Sequence, residues 1–342
     1  MTSFLIVRLG SLGDVVHAIP VAAALRRHFP SARIDWIVDP RYMQLLDLVP
    51  VLDRTIAFDT RALLDGAKRR GFLRLLRELR QVRYDVVFDL QGLLKSAALA
   101  RAAGGMRVVG FPRRHLREPL ARVFYTHTVD PGSAAHVIDK NLALLSAAGV
   151  QDRRPMFPLT IPASPIVDSA VRRFPQGFVL INPGAAWPNK RWPAARFGAV
   201  AAAMKQAHGV SALVLWGPGE RQLADEVVAA SGGAAEILAP TTIQEMAGVA
   251  RAARLMISGD TGPLHVAGAV GTPLVALFGP TRSERNGPWA PHDISISRVE
   301  RCVCVYERRC RRDVPCIEDI GVDDVLDAVA RRLASVRSAA GA

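Results

Sequence analysis

The stretch 254–281 constrains the fold of this chain more than any other. The apolar residues 255–257 break into a Ser-Gly-Asp-Thr-Gly turn, and Pro263 then opens a run of small residues that ends in a Gly-Thr-Pro turn. A second apolar run, 274–278, follows. The pattern predicts a strand, a tight loop, a helix and another strand. In an open α/β sheet, such a loop lies at the carboxyl ends of the strands, where ligands bind.

The chemistry of this loop indicates a phosphorylated sugar. Proline suits the first turn of a helix, where its missing N–H would be unpaired in any case. The amides near Thr261 and Gly262 would then point out of a helix N-terminus, which is a phosphate site. The carboxylate of Asp260 would repel phosphate unless it faces another part of the ligand, such as sugar hydroxyls. The combination favours a nucleotide sugar over a plain nucleotide.

The remaining pattern predicts two α/β domains. The 342 residues are enough for two domains of ordinary size. Apolar runs alternate with amphipathic stretches, which is typical of parallel sheets with both faces covered. Prolines punctuate residues 156–176, which we interpret as a linker between domains 1–155 and 177–342. Two Rossmann-like, doubly wound domains with a cleft between them form the simplest architecture.

The charge of the chain leaves two interpretations open. The formal net charge is +13, which reflects either an arginine-rich coding bias or an anionic partner: phosphorylated lipid, an acidic membrane surface or nucleic acid. The basic residues form two clusters. The first contains Arg61, Lys68, Arg69, Arg70, Arg74, Arg77, Arg80 and Arg83, against Asp65 and Glu78, and the second contains Arg113, Arg114, His115 and Arg117. No apolar run is long enough to span a membrane, and no basic secretory n-region begins the chain, so a cytoplasmic location is expected.

Four further residues have both a structural and a functional interpretation. Asp14, after the first apolar run, is a helix N-cap or a catalytic carboxylate. Lys190, in a glycine- and proline-rich loop, is a solvated lysine or a point charge beside phosphate. Glu220 is a helix-start carboxylate or a ribose ligand. His265 is a buried, hydrogen-bonded core histidine or a ligand of phosphate or sugar.

The cysteines are confined to one short segment. Cys302, Cys304, Cys310 and Cys316 all lie within residues 302–316. Their clustering favours a four-thiolate site for zinc or iron, with disulfides or free thiols as the alternatives. Disulfides are rare in cytoplasmic proteins, and neighbouring arginines would favour ligation by lowering the thiol pKa values.

Several motifs together resemble one family. They are Gly13-Asp-Val, residues 89–96 (Asp-Leu-Gln-Gly-Leu-Leu-Lys-Ser), Arg117-Glu-Pro-Leu with Phe124-Tyr, the loop 183–193 around Lys190, Gly259-Asp-Thr-Gly-Pro-Leu-His and Phe278-Gly-Pro-Thr. The chain resembles the ADP-heptose:lipopolysaccharide heptosyltransferases of glycosyltransferase family nine, over nearly its whole length. The first-domain motifs are most similar to heptosyltransferase I. The cysteine segment is instead similar to a C-terminal motif of other members, some of which bind a metal.

The resemblance implies a GT-B fold, with its two domains facing each other across a cleft. It also implies an inverting transfer of heptose from ADP-L-glycero-β-D-manno-heptose to the Kdo/heptose inner core of lipopolysaccharide, with no cofactor required. Asp14 would be the general base, and Gly13, Lys95 and Arg117 would bind the acceptor. The second domain would bind the donor. Its expected donor ligands are Lys190, Glu220, Asp260, Thr261, Gly262 and His265.

The acceptor implied by the resemblance is an anionic glycolipid such as Kdo-lipid A. The enzyme would therefore act at the cytoplasmic face of the inner membrane as a peripheral protein. One alternative is a family member that glycosylates a protein or another glycan and carries a cysteine-bound metal. A weaker alternative is a basic nucleic-acid-binding protein. The aromatic content of 6% and the lack of a recognition motif argue against nucleic acid.

Overall fold

The structure is a computed structural model that describes residues 2–59 and 66–340, with side chains 66–70, 72 and 336–340 left out. The chain forms two compact units, Met1–Thr160 and Ile161–Ala342. The division between Thr160 and Ile161 lies within the segment interpreted as a linker.

The first unit is built on a six-stranded parallel sheet of order β3-β2-β1-β4-β5-β6. Its strands are β1 (Ser3–Val7), β2 (Arg33–Val38), β3 (Arg54–Ala57), β4 (Val86–Asp89), β5 (Arg107–Gly110) and β6 (His127–Thr128). All five residues of β1 are buried, as is usual for a central parallel strand covered on both faces. The strand order reverses between β1 and β4, which makes the carboxyl ends of these two strands the expected ligand site.

Helices connect these strands. They are α1 (Leu12–Val16), α2 (Ile19–His28), α3 (Met43–Leu46), α4 (Gly66–Val82), α5 (Leu94–Ala102) and α6 (Val137–Ala143), with 3₁₀ turns at Pro40–Tyr42, Arg113–His115, Pro119–Phe124 and Leu144–Ala148. Within the described residues, no helix is both long and apolar enough to cross a bilayer.

The second unit repeats the topology of the first. Its sheet has the order β12-β11-β10-β7-β8-β9, which is the first order read from the opposite edge. The strands are β7 (Phe178–Asn182), β8 (Ser211–Val214), β9 (Ala235–Ile237), β10 (Leu255–Gly259), β11 (Leu274–Phe278) and β12 (Ile294–Ser297). The switch point here lies between β7 and β10, whose following loops contain Lys190 and Asp260.

The helices of the second unit begin inside the segment interpreted as a linker. They are α7 (Pro165–Arg173), α8 (Ala194–His208), α9 (Arg221–Ala230), α10 (Ile243–Ala252), α11 (Gly262–Ala269), α12 (Ser283–Asn286) and α13 (Val322–Ala340), with 3₁₀ turns at Pro188–Lys190, Val299–Arg301 and Cys316–Asp319. The helix α7 starts at an N-cap, where the Ser164 hydroxyl accepts from the Ile166 amide at 3.3 Å. It packs against α10. Part of the 156–176 segment therefore belongs to the second unit.

The α/β prediction with two Rossmann-like domains is confirmed. The strand–loop–helix–strand expected from residues 254–281 is β10, α11 and β11. The core of the second unit buries side chains from its strands and from α8, among them Trp192, Phe197 and Met204. Trp192 also donates from Nε1 to the Ile320 carbonyl at 2.9 Å, which ties the start of α8 to the C-terminal part of the chain.

Candidate active site

Asp14 lies at the carboxyl end of β1, in the first turn of α1. The N-cap residue is Ser11, and Asp14 occupies the third helical position. Its Oδ2 accepts from the Ser11 amide at 3.0 Å and from the Ser11 hydroxyl at 2.9 Å. The interpretation of Asp14 as the N-cap itself is therefore wrong: it is the acidic member of a capping box.

A buried arginine holds the second oxygen of Asp14. Arg8 Nη2 lies 2.5 Å from Asp14 Oδ1. Arg8 is itself fixed, because Nη1 donates to the Leu90 carbonyl and its own carbonyl accepts from Trp36 Nε1 at 3.2 Å. The Asp14 side chain nevertheless remains 29% exposed. The carboxylate is thus fixed in orientation and reachable from solvent, as a general base must be.

The other residues expected to bind the acceptor lie at the same edge of the sheet. Gly13 is beside Asp14 in α1, Lys95 is in the first turn of α5 after β4, and Arg117 follows β5. Because β1, β4 and β5 are neighbouring parallel strands, their carboxyl ends bring these three residues to one edge. Lys95 and Arg117 are both exposed.

A buried carboxylate connects the loops that carry Lys95 and Arg117. Asp89 Oδ2 accepts from the Ser96 hydroxyl at 3.0 Å and from the Tyr125 hydroxyl at 2.8 Å. Its Oδ1 accepts from the Gln91 amide at 2.9 Å. Burial raises the pKa of Asp89, and these hydrogen bonds act in the opposite direction. Asp89, Ser96 and Tyr125 therefore form a scaffold for these loops.

In the second unit, Asp260 is the centre of a buried polar network. Its Oδ2 accepts from Lys190 Nζ at 2.5 Å and from the Thr281 hydroxyl at 2.7 Å. Its Oδ1 accepts from Asn286 Nδ2 at 2.6 Å and lies 3.3 Å from His265 Nε2. A carboxylate has about four acceptor positions, so these four side chains fill its capacity.

The expected role of Asp260 on sugar hydroxyls does not fit this geometry. Asp260 is 6% exposed, and its acceptor positions are taken by side chains of the protein. Burial alone would raise the pKa of Asp260, but the His265 hydrogen bond and the Lys190 charge outweigh it and lower the pKa well below the usual range. Asp260 is therefore an ionised, buried partner of Lys190. Of the two interpretations of His265, the structure fits a buried histidine that is hydrogen-bonded within the protein.

Lys190 lies on a loop that packs closely on the Asp260 loop. Its ammonium lies 4.7 Å from the centroid of the Trp187 ring. Trp187 is the N-cap residue of the 3₁₀ turn Pro188–Lys190. A Cβ at Gly259 would lie 2.9 Å from the Lys190 carbonyl, so glycine permits this approach of the two loops. With its side chain 15% exposed, Lys190 presents a partly desolvated charge at the switch point.

The helix α11 begins where the sequence predicts. Thr261 is its N-cap and Gly262 is its first residue. The Thr261 hydroxyl accepts from Asn182 Nδ2 at 3.1 Å and lies 3.2 Å from the Ser258 hydroxyl, so the ends of β7 and β10 both contact the N-cap of α11. The first amides of a helix lack intrahelical partners. The geometry retains α11 as a candidate phosphate site.

Glu220 lies after β8 and faces the loop after β7. It is the N-cap residue of α9, and its Oε2 accepts from the Gly217 amide at 3.0 Å. A Cβ on Gly184 would collide with this carboxylate, so glycine at that position lets the two loops meet. Glu220 is therefore a helix-start carboxylate, as its structural interpretation expects. A hydrogen bond between Glu220 and ribose stays a prediction.

The four cysteines lie close together, but the expected metal site is not supported. Cys304 Sγ lies 3.6 Å from both Cys302 Sγ and Cys310 Sγ, and Cys316 is hydrogen-bonded to Cys302. All four are free thiols. Among the residues that the structure describes, no group of three or more His, Cys, Asp or Glu could hold a metal ion. The contacts join the thiols in a chain from Cys316 to Cys310.

The thiol of Cys316 is also a poor candidate for a thiolate. Burial, its hydrogen bond with Cys302 and the neighbouring cysteines raise the pKa of Cys316 to about 12. The expectation that nearby arginines lower the thiol pKa values is wrong for this residue.

The basic clusters are only partly described. Arg61 and Asp65 lie outside the described residues, as do the side chains of Lys68, Arg69 and Arg70. Glu78 binds both Arg74, at 3.2 Å, and Arg54, at 3.1 Å. In the second cluster, Asp130 pairs with Arg114 and with His115.

Comparison with known proteins decides the family. The family model for glycosyltransferase family 9 (heptosyltransferase) matches residues 72–314. The chain belongs to this family. It is 29% identical to lipopolysaccharide heptosyltransferase 1 of Pseudomonas aeruginosa over 318 residues, which are 90% of this chain and 86% of that protein.

Solved structures of this family share the fold. The family 9 glycosyltransferase from Veillonella parvula aligns with a TM-score of 0.82 at 23% identity, covering 98% of each chain. E. coli heptosyltransferase WaaC with ADP aligns with a TM-score of 0.77 at 22% identity, covering 97% of this chain and all of that one (100%). The predicted GT-B fold and glycosyltransferase class are confirmed. Neither the nucleic-acid alternative nor a metal-bearing variant is favoured by these matches.

Sequence reasoning missed several residues of this family 9 site. Thr281 and Asn286 bind Asp260 from 21 and 26 residues away, and Arg8 binds Asp14 from the end of β1. Thr281 was visible in the Phe-Gly-Pro-Thr motif, but only as a marker of the family. Asn286 has no local signal, since a polar residue in a short helix is usually solvated.

Proposed function

We propose that this glycosyltransferase transfers heptose from ADP-L-glycero-β-D-manno-heptose to the inner core of lipopolysaccharide, with inversion at the anomeric carbon. The Lys190 ammonium carries this proposal, because buried Asp260 holds it in place beside the N-terminus of α11, where the first helix amides can bind phosphate. Relatives named as lipopolysaccharide heptosyltransferases support the substrate class.

On the acceptor side, Asp14 is the proposed general base. It would take the proton of an acceptor hydroxyl, whose oxygen attacks the anomeric carbon while the bond to the ADP oxygen breaks. Arg8 and Ser11 orient the carboxylate by holding both of its oxygens. One displacement on the anomeric carbon inverts its configuration. Gly13, Lys95 and Arg117 would bind the acceptor at the same edge.

On the donor side, the proposed task is to stabilise the ADP leaving group. Lys190 would neutralise the diphosphate, and the first amides of α11, near Thr261 and Gly262, would donate to it. Glu220 would accept from a ribose hydroxyl. Because these groups supply the charge that the departing diphosphate needs, we propose that transfer requires no metal.

The role proposed for Asp260 changes with the structure. Its carboxylate would act through Lys190 by holding the ammonium in place, and His265 would support it from the other oxygen. Positioning a charge before the reaction avoids the cost of reorienting it in the transition state. Asp260 and His265 are thus proposed as positioning residues of the donor site.

The proposed acceptor is Kdo-lipid A or a related anionic glycolipid, and the enzyme would act at the cytoplasmic face of the inner membrane. The motifs after β4 and β5 favour heptosyltransferase I, and relatives named both heptosyltransferase 1 and heptosyltransferase 3 match the chain. The acceptor distinguishes these subtypes, so it must be tested directly.

The decisive experiment is a donor and acceptor screen on the purified chain. ADP-heptose with Kdo-lipid A, with or without a chelator, should yield ADP and a heptosylated lipid of inverted configuration. In the same assay, Asp14→Ala should abolish transfer while ADP still binds. Transfer at a near wild-type rate by Asp14→Ala would remove the base assignment, and strict dependence on added metal would remove the metal-free mechanism.

A further inference from the structure

The 3₁₀ turn Pro119–Phe124 displays two large apolar side chains to solvent. Leu120 and Val123 are each 63% exposed, although Ala121 between them is fully buried. Residues three apart lie above one another on a 3₁₀ helix. Leu120 and Val123 therefore share one outward face, while the opposite face anchors the turn to the protein.

A third exposed apolar residue, Leu94, begins the helix α5 that packs against this turn. Glu118 Oε2 accepts from the Leu94 amide at 2.7 Å, which joins the start of α5 to the start of the 3₁₀ turn. Leu94 is 40% exposed. Scattered exposed leucines are common on protein surfaces, but adjacent ones mark an interaction site. We call Leu94, Leu120 and Val123 the apolar tip.

The segments that carry the apolar tip are rich in basic residues. The segments 94–95 and 113–130 contain five lysines and arginines and two carboxylates. They are Lys95, Arg113, Arg114, Arg117 and Arg122, against Glu118 and Asp130. Asp130 is engaged by Arg114 and His115, and Glu118 by the Leu94 amide. Lys95, Arg113 and Arg117 are exposed and lie on elements that pack against the turn Pro119–Phe124 or precede it, and we call these three residues the basic rim.

We propose that the apolar tip enters the headgroup region of an anionic phospholipid bilayer, with its basic rim on the lipid phosphates. Burial of apolar side chains in the interface favours membrane binding. Each basic residue near an anionic surface adds about 1 kcal/mol of favourable binding free energy. Two weak signals combine into stable but reversible binding. The positive charge of the basic rim complements the negative surface potential of an anionic bilayer.

The apolar tip lies at the same sheet edge as Asp14. It lies on loops that follow β4 and β5, at the sheet edge where α1 presents Asp14. Docking there would bring Asp14 towards the membrane surface, where the sugar of a glycolipid is displayed. This last step rests on the proposed function, but the binding itself does not.

The test is co-sedimentation of the full chain with vesicles. Vesicles of phosphatidylglycerol and phosphatidylcholine should sediment the wild type, and pure phosphatidylcholine should not. The double variant Leu120→Ser/Val123→Ser should bind roughly tenfold more weakly, because two side chains lose their burial. The matched control is Val171→Ser, which removes an apolar side chain that is 49% exposed in the second unit, and it should bind like the wild type.

Activity separates this proposal from the proposed function. The double variant should keep its melting temperature and its transfer rate on a deacylated, water-soluble Kdo acceptor, while losing rate on vesicle-borne Kdo-lipid A. Equal binding of the double variant and the wild type would overturn the membrane proposal. So would a wild type that ignores anionic vesicles at low salt, or a tip whose loss changes only self-association. Vesicle binding without any heptose transfer would overturn the proposed function alone.

Discussion

At the scale of single residues, the donor site depends on how one carboxylate is occupied. Asp260 Oδ2 accepts from Lys190 and Thr281, and Oδ1 accepts from Asn286 and lies 3.3 Å from His265 Nε2. Bringing a charged carboxylate into a buried position is costly unless it is paired and hydrogen-bonded. The side chains of the protein satisfy this condition, so the Lys190 ammonium is held in a fixed position.

Asp260→Asn should therefore weaken the binding of ADP itself. The amide leaves the Lys190 ammonium without its charged partner, and we expect ADP affinity to fall roughly tenfold and the unfolding free energy to fall by roughly 3 kcal/mol. Calorimetric titration and thermal melts measure both. If Asp260 instead bonded heptose hydroxyls, ADP affinity would be unchanged and only the KM for ADP-heptose would rise.

A matched control is available on α9. Asp225 forms an exposed ion pair with Arg221, and its side chain is 53% exposed. Asp225→Asn should change the unfolding free energy by less than about 0.5 kcal/mol, since exposed pairs contribute little.

The stability contributed by Asp260 should also depend on pH. The folded-state pKa of Asp260 is lowered, so its contribution to the unfolding free energy is present above the ordinary carboxyl pKa and is lost only as the pH falls towards the folded value. The stability difference between the Asp260 variant and the wild type should thus still be present at about pH 5 and shrink only in stronger acid.

At the scale of elements, the cysteine segment supports the loop of Lys190. Asn189 Nδ2 donates to the Glu307 carbonyl at 2.9 Å, and Arg196 Nη1 donates to the Ile320 carbonyl at 2.9 Å. The 3₁₀ turns Pro188–Lys190 and Cys316–Asp319 pack on each other. The segment therefore acts as a brace for the loop that carries Lys190.

Gly279→Ala should disturb this brace. A Cβ there would lie 2.8 Å from Ile317 Cβ and 3.2 Å from the Asn189 carbonyl, so backbone and core atoms would have to move. Overpacking of this kind costs roughly 1–3 kcal/mol. We expect a lower melting temperature together with weaker ADP binding.

Gly71→Ala on α4 is the control, because nothing lies within 4 Å of its Cβ position. That substitution should leave stability unchanged or raise it slightly, since alanine favours a helix over glycine. Weaker ADP binding without any loss of stability in Gly279→Ala would contradict a bracing role.

At the scale of the whole molecule, the chain uses one topology twice, and the residues proposed to bind acceptor and donor lie at the two switch points. The alternation of strands and helices, and the loop after β10, could be predicted from local patterns. The helix α7 was missed because Ser164-Pro165 was interpreted as linker punctuation, although serine at the N-cap and proline at the first position start helices. The hydrogen bonds of Asp260 with Thr281 and Asn286 could not be predicted from the sequence. These two residues reach Asp260 only because β10 and β11 pack side by side.

The division of labour between the two units gives the last prediction. If the donor binds to the second unit, ADP should slow amide hydrogen exchange in the loops after β7, β8 and β10 and in the first turn of α11. The α1 turn at Gly13 and Asp14 should keep its exchange rates, because ADP carries no group for the acceptor side. Mass spectrometry of peptides from the full chain, with and without saturating ADP, measures this. Glu220→Ala should retain the pattern with less protection after β8, whereas protection of the α1 turn equal to that of α11 would contradict the assignment of the donor to the second unit.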